Sequence, residues 1–176
     1  MYVTVFGGSE PKSGDQAYND ALLLGSLLGS GGHTVMTGGY MGTMEAVSRG
    51  VSEAGGHAIG ITSDEIEAWR SNQPNNWIQE EKRFKTTRER LFALIEGCDV
   101  ALALPGGVGT LAEVAMMWSL LQTRAISPRP LILIGPAWRL VIDTFLQQFD
   151  PYVKEDHRKL LTFVADVDTA VLRLES

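Results

Sequence analysis

The chain has 176 residues, 44% hydrophobic and 20% charged, with a formal net charge of −6. A domain of this size buries roughly 70% of the surface its unfolded chain exposes, so a core can form without disulfides or metals. The composition excludes disorder and low-complexity scaffolds, and no apolar run approaches the ~20 residues of a membrane span. The acidic balance argues against a nucleic-acid binder or a membrane-surface protein. Cys98 is the single cysteine, which excludes an internal disulfide and a cysteine-based zinc cage. His33, His57 and His157 share no i, i+4 spacing, so no metal site is expected. The opening Met1–Gly8 reads as a strand entering a glycine turn and not as a signal peptide, which makes the cytoplasm the expected compartment.

In chain order, Tyr2–Phe6 is a predicted strand ending at Gly7-Gly8. Ala21, Leu22, Leu24, Leu27 and Leu28 give a helical period over about 15–30, stopped by Gly31-Gly32. A second strand covers His33–Thr37, a second helix about 42–54, and a third strand His57–Thr62. Residues 63–83 break the rhythm with Asn72, Pro74, Asn75 and Asn76 between Trp69 and Trp77, and read as a lid or interface insertion. A third helix is predicted over about 85–97, a fourth strand over Val100–Leu104 and a fourth helix from the following glycines to about 123. A fifth strand at Pro130–Ile134 and helices near 138–148 and 166–174 complete the chain. This alternation predicts α/β architecture: one Rossmann-like domain over 1–176, a parallel sheet with helices on both faces. Ligands of such sheets bind at the carboxyl ends of the strands.

Three strand ends carry glycines there: Gly7-Gly8-Ser9, Gly38-Gly39-Tyr40-Met41-Gly42 and Gly106-Gly107-Val108-Gly109-Thr110. Glycine lets backbone approach a ligand, and a helix N-terminus offers free N–H groups with partial positive charge, which suits a phosphate. Thr110 adds a hydroxyl. The candidate nucleotide-binding residues are therefore Gly8, Ser9, Gly38, Gly39, Gly42, Gly106, Gly107, Val108, Gly109 and Thr110. Neither G-x-G-x-x-G in the first turn nor a G-K-[ST] ending is present, which disfavours a dehydrogenase or a P-loop NTPase. No cofactor is expected.

Two charges fall on apolar helical faces. With Phe84, Leu91, Phe92 and Ile95 as the third helix's stripe, Arg88 sits at its centre and Glu89 and Arg90 turn away. A guanidinium so placed needs an anionic partner, a carboxylate or a phosphate. Glu113 follows the third glycine loop on the side of Met117 and Leu120, in opening turns where the helix dipole favours a carboxylate. Arg88 and Glu113 are the candidate catalytic pair, expected to point toward the same sheet edge. The basic run Lys82-Arg83-Phe84-Lys85 reads as a solvated face or a rim for phosphate.

Pro105-Gly106-Gly107-Val108-Gly109-Thr110-Leu111-Ala112-Glu113 fits P-G-G-x-G-T-x-x-E and resembles the signature of the Lonely Guy (LOG) phosphoribohydrolases, also called "possible lysine decarboxylases". Phe6-Gly7-Gly8-Ser9, the second loop Thr37–Ala46, Trp118 and Arg129-Pro130 extend the resemblance over most of the chain. It implies a homodimer that hydrolyses a nucleoside 5′-monophosphate, AMP or a cytokinin riboside 5′-monophosphate, to free base and ribose 5-phosphate. In the family's M-x-x-R-K segment, Arg88 takes the arginine's place and Glu89 replaces the lysine. The Met-Glu-Ala of the second loop also resembles a sister group that includes the molybdenum-cofactor carriers. That resemblance implies a carrier or sensor of a phosphorylated heterocycle.

Overall fold

The structure is a computed structural model that describes residues 1–70 and 73–174. Its elements are β1 (Tyr2–Phe6), α1 (Gln16–Ser30), β2 (Thr34–Thr37), α2 (Thr43–Glu53), β3 (His57–Ser63), α3 (Asp64–Arg70), β4 (Glu80–Phe84) and α4 (Thr87–Glu96). After these come β5 (Val100–Ala103), α5 (Val108–Gln122), β6 (Leu131–Ile134), α6 (Pro136–Gln148), α7 (Glu155–Arg158), β7 (Leu161–Val164) and α8 (Val167–Leu172). The strands form one seven-stranded sheet in the order β4-β3-β2-β1-β5-β6-β7. Every neighbouring pair is parallel.

Side chains that alternate along the central strands bury both sheet faces. Val100, Leu102 and Leu104 join Val3, Val5, Ile132 and Ile134 on one face, under α1, α2 and α8. Phe6, Ala101, Ala103, Leu131 and Leu133 point to the other face, under α4, α5 and α6. This is why the central strands are unbroken apolar runs: a parallel strand covered on both sides has no polar face to show. The chain builds β1 to β4 outward in one direction, then crosses back to place β5 on the other side of β1. The carboxyl ends of β1 and β5 thus flank the point where the winding reverses, the usual ligand crevice of open α/β sheets.

Two strands escape the sequence pattern. The segment 63–83, expected as an insertion, contributes the end of β3, the helix α3 and the edge strand β4. β4 reads Glu-Glu-Lys-Arg-Phe because an edge strand needs little apolar character and charge blunts edge pairing. Arg83 in that strand binds Asp64 at 2.6 Å and Glu67 at 2.7 Å, so it holds α3, and the basic run is largely exposed. Asn72, part of the expected insertion, lies outside the described residues. At the far edge, β7 is four residues long and was not anticipated.

Arg129 fixes α4 against the sheet. Its Nη1 donates to the carbonyls of Ile95 at 3.3 Å, Glu96 at 3.1 Å and Cys98, at the C-terminal end of α4. The Ile95 and Glu96 carbonyls belong to the last turn of the helix, where no intrahelical partner exists. Arg129→Ala is expected to lower unfolding free energy by about 1–3 kcal/mol, with Arg129→Lys intermediate. Denaturant melts of the three proteins measure this; equal midpoints would contradict it.

Candidate functional site

The first and third glycine loops meet at the winding reversal. A Cβ on Gly8 would lie 3.3 Å from the Cα of Gly106, so the β1 and β5 loops touch through backbone. The second loop closes on the first: Thr43 donates its N–H at 2.9 Å and its hydroxyl at 3.1 Å to the Gly8 carbonyl. Gly42, with φ +73, sits against Ser9 and the Gly8 carbonyl, where a side chain has no room. Gly8, Ser9, Gly42 and Gly106 therefore converge, as the sequence expected of the loops. Gly38 and Gly39 are buried one strand further along. Gly107, Val108 and Gly109 are exposed, and α5 starts at Val108 with no side-chain cap and no acidic residue in its first turn. Its leading N–H groups have no intrahelical partner and carry the positive end of the dipole. Thr110 is buried beneath this loop, its hydroxyl against Gly106.

The arginine at the site is Arg90, not Arg88. Helix α4 begins at Thr87, because Thr86 caps it: the Thr86 hydroxyl accepts from Glu89 N–H at 3.1 Å, and the Glu89 carboxylate accepts from Thr86 N–H at 3.0 Å. Phe84 belongs to β4, so it cannot anchor a helical stripe. The inward residues are Arg90, Leu94 and Ile95. Arg88 is exposed and lines an open cavity of about 790 Å³ with Phe84, Glu89 and Phe92, away from Glu113. Glu89 is spent on the cap, which holds its carboxyl below the usual carboxylate range. The signal that would have found Arg90 is the capping box itself: Thr-x-x-Glu sets the helix start and hence its phase.

Arg90 is fixed on several sides. Its Nε donates to the Ile61 carbonyl at 2.7 Å and its Nη2 to the Gly38 carbonyl at 3.2 Å. Its guanidinium lies 5.7 Å from the Tyr40 ring centre, a cation–π distance. Tyr40 is itself pinned, donating to the Ser63 carbonyl at 3.1 Å and accepting from Ser63 N–H at 2.9 Å. Gly38 must be glycine, because a Cβ there would run into the guanidinium. The remaining nitrogen, Nη1, faces Glu113 Oε1 at 3.7 Å. That is ion-pair distance but too long for a hydrogen bond.

Glu113 is only 13% exposed at the side chain, and among the described residues Arg90 is its ion-pair partner. Burial pushes its carboxyl up to about 7, with Arg90 pulling the other way. Burial likewise draws the Arg90 guanidinium below its ordinary value, opposed by Glu113 and Tyr40. The pair is a half-satisfied acid beside a fully held cation. Tyr18 hydrogen-bonds Glu45 at 3.3 Å, which gives that carboxylate a structural contact. Among the described residues, no group of three or more His, Cys, Asp or Glu side chains is placed to hold a metal.

Residues 1–128 match the model of the SLOG cluster4 family. The chain belongs to that family. It is 29% identical over 98% of its length to the probable cytokinin riboside 5′-monophosphate phosphoribohydrolase LOGL9 of Oryza sativa subsp. japonica, covering 77% of that protein. Among solved structures, TM1055 is 29% identical with a TM-score of 0.76, covering 99% of this chain and 98% of its own. The molybdenum cofactor binding protein of Rippkaea orientalis also superposes with a TM-score of 0.76, over 99% of this chain and 94% of its own, at 21% identity. The resemblance to LOG proteins thus holds along the chain, and the SLOG member shares its fold with a cofactor binder as well. Reading the M-x-x-R-K segment onto the arginine that meets Glu113 puts Arg90 at the arginine and Leu91 at the lysine.

Because Glu113 is harder to ionise in the fold than in the unfolded chain, its neutral form is favoured by folding. Its contribution is full below about pH 4 and is lost as pH rises through about 7. Relative to Glu113→Gln, the wild type should lose up to about 3 kcal/mol between pH 4 and 8. Carboxyl NMR of Glu113 should titrate with a midpoint near 7; an ordinary carboxylate midpoint would contradict the geometry.

Proposed function

We propose that this SLOG protein binds a nucleoside 5′-monophosphate across the glycine loops and hydrolyses its N-glycosidic bond. The observation that carries the reading is Glu113, a largely buried carboxylate that faces the fixed Arg90 at 3.7 Å and, among the described residues, has no other ion-pair partner. Water adds to C1′ as the C1′–N bond breaks, and the proton given up by water balances the one taken by the departing base. The products are free base and ribose 5-phosphate. The transition state places positive charge on the ribose, which an ionised Glu113 stabilises while orienting the water. Arg90 holds that carboxylate in place. The leading N–H groups of Gly107, Val108 and Gly109, with Thr110, take the 5′-phosphate, while Gly8, Ser9 and Gly39–Gly42 line the cleft. Phosphate binding remote from C1′ supplies free energy for orientation at the reacting carbon.

AMP and cytokinin riboside 5′-monophosphates are the substrates this reading favours, in keeping with the rice relative's name. The same reading has the protein acting as a cytoplasmic homodimer. Met117 and Trp118 are buried in the core and offer no subunit contact. Support for a dimer comes instead from the apolar groove between α5 and α6, where Leu111, Val141 and Phe145 are exposed.

A second reading, a carrier of a phosphorylated heterocycle such as molybdenum cofactor, is favoured by Leu91. A leucine after the site arginine cannot supply the cation of the family's R-K pair. Incubation with AMP and with isopentenyladenosine monophosphate, followed by detection of free base, separates the two. Hydrolysis is expected, with kcat/KM rising as Glu113 ionises near pH 7. Glu113→Gln is expected to lower kcat by about 100-fold or more with little change in nucleotide affinity. Binding without base release would favour the carrier. Wild-type turnover in Glu113→Gln would remove the mechanism.

A further inference from the structure

Helix α3 reaches from the edge of the sheet to its centre. It is held at three points: Asp64 and Glu67 by Arg83, and Glu65 by the Thr87 N–H at 2.7 Å. Its last residue, Arg70, donates from Nη1 to the Ser9 hydroxyl at 2.7 Å. Ser9 belongs to the first glycine loop, where the loops after β1, β2 and β5 converge. The Arg70 guanidinium also lies 4.4 Å from the centre of the Trp69 ring, which steadies it in the cation–π geometry.

The charges at the site are unbalanced for a phosphate. Arg90 is committed to two backbone carbonyls and to Glu113. The glycine loops offer neutral N–H groups. Arg49, Arg83 and Arg158 each face a carboxylate. Arg70, at the first glycine loop, has no carboxylate within ion-pair distance among the described residues, and its hydrogen-bond partner is the Ser9 hydroxyl, which itself donates to Glu10 at 3.3 Å. A guanidinium presents paired N–H donors that fit phosphate oxygens better than they fit one hydroxyl.

We propose that Arg70 is the cationic phosphate partner of the site, reaching from α3 over Ser9 to pair with the phosphate of a bound nucleotide, with Trp69 as its positioning residue. This rests on the reading that the glycine loops take a phosphate. It gives the protein a way to prefer phosphorylated ligands that is separate from Glu113 and from the chemistry at C1′.

Calorimetric titration of wild type, Arg70→Gln and Arg70→Lys, all carrying Glu113→Gln so that AMP is not consumed, with AMP and with adenosine tests it. The wild type should bind AMP more tightly than adenosine. Arg70→Gln should weaken AMP about 10- to 100-fold and leave adenosine unchanged, because only the phosphate loses a charged hydrogen-bond partner. Arg70→Lys should recover part of the preference. If the wild type does not distinguish AMP from adenosine, the phosphate reading of the loops falls and Arg70's role falls with it. If the wild type prefers AMP and Arg70→Gln keeps that preference in full, the loops stand and Arg70's role is overturned. Equal loss for both ligands would also overturn it, since the effect would then not act through phosphate.

Discussion

The contact between Arg90 and Glu113 constrains the rest of the site. A guanidinium taken out of water is costly unless its donors are matched. Here two donors go to backbone carbonyls of Ile61 and Gly38 and a third nitrogen faces Glu113. Satisfying all three at once requires α4 to start at Thr87, Gly38 to lack a side chain and α5 to present Glu113 inward. Each requirement is visible locally, as a capping box, a glycine and a glycine-capped helix start. The pair couples the loop after β2 to the helix after β5, across the point where the sheet reverses its winding.

That coupling bears on both proposed readings, hydrolysis and carriage. In both, the glycine loops supply an anion site through backbone, which any phosphorylated ligand can use. They differ at the sugar, where the proposed chemistry rests on Glu113 and its neighbours. The chain resembles named phosphoribohydrolases in sequence and shares its fold with a molybdenum cofactor binding protein. A fold of this kind does not choose between them; the choice has to be read from the site residues.

The architecture was legible because central parallel strands write themselves as apolar runs and glycines punctuate their ends. Val100–Leu104 and Leu131–Ile134 illustrate this. β4 was not legible, since its five residues carry four charges and its pairing rests on backbone bonds to β3. The same blind spot moved the site arginine. With Phe84 counted as helical, the stripe put Arg88 inside; with Phe84 in β4 and Thr86 as the cap, the phase shifts and Arg90 turns inward. Glu113 was legible because the third loop fixes the start of α5 without ambiguity. The loss of an ordinary carboxylate pKa at Glu113 was not, since it depends on burial created by distant elements.

The most direct measurement is a crystal structure with AMP, or with ribose 5-phosphate if AMP is turned over. The expected density has the phosphate against Gly107–Thr110 and the C1′ carbon beside Glu113, with Arg90 unmoved. A ligand seated instead in the α5–α6 groove or in the Arg88 cavity, with the glycine loops empty, would contradict the account.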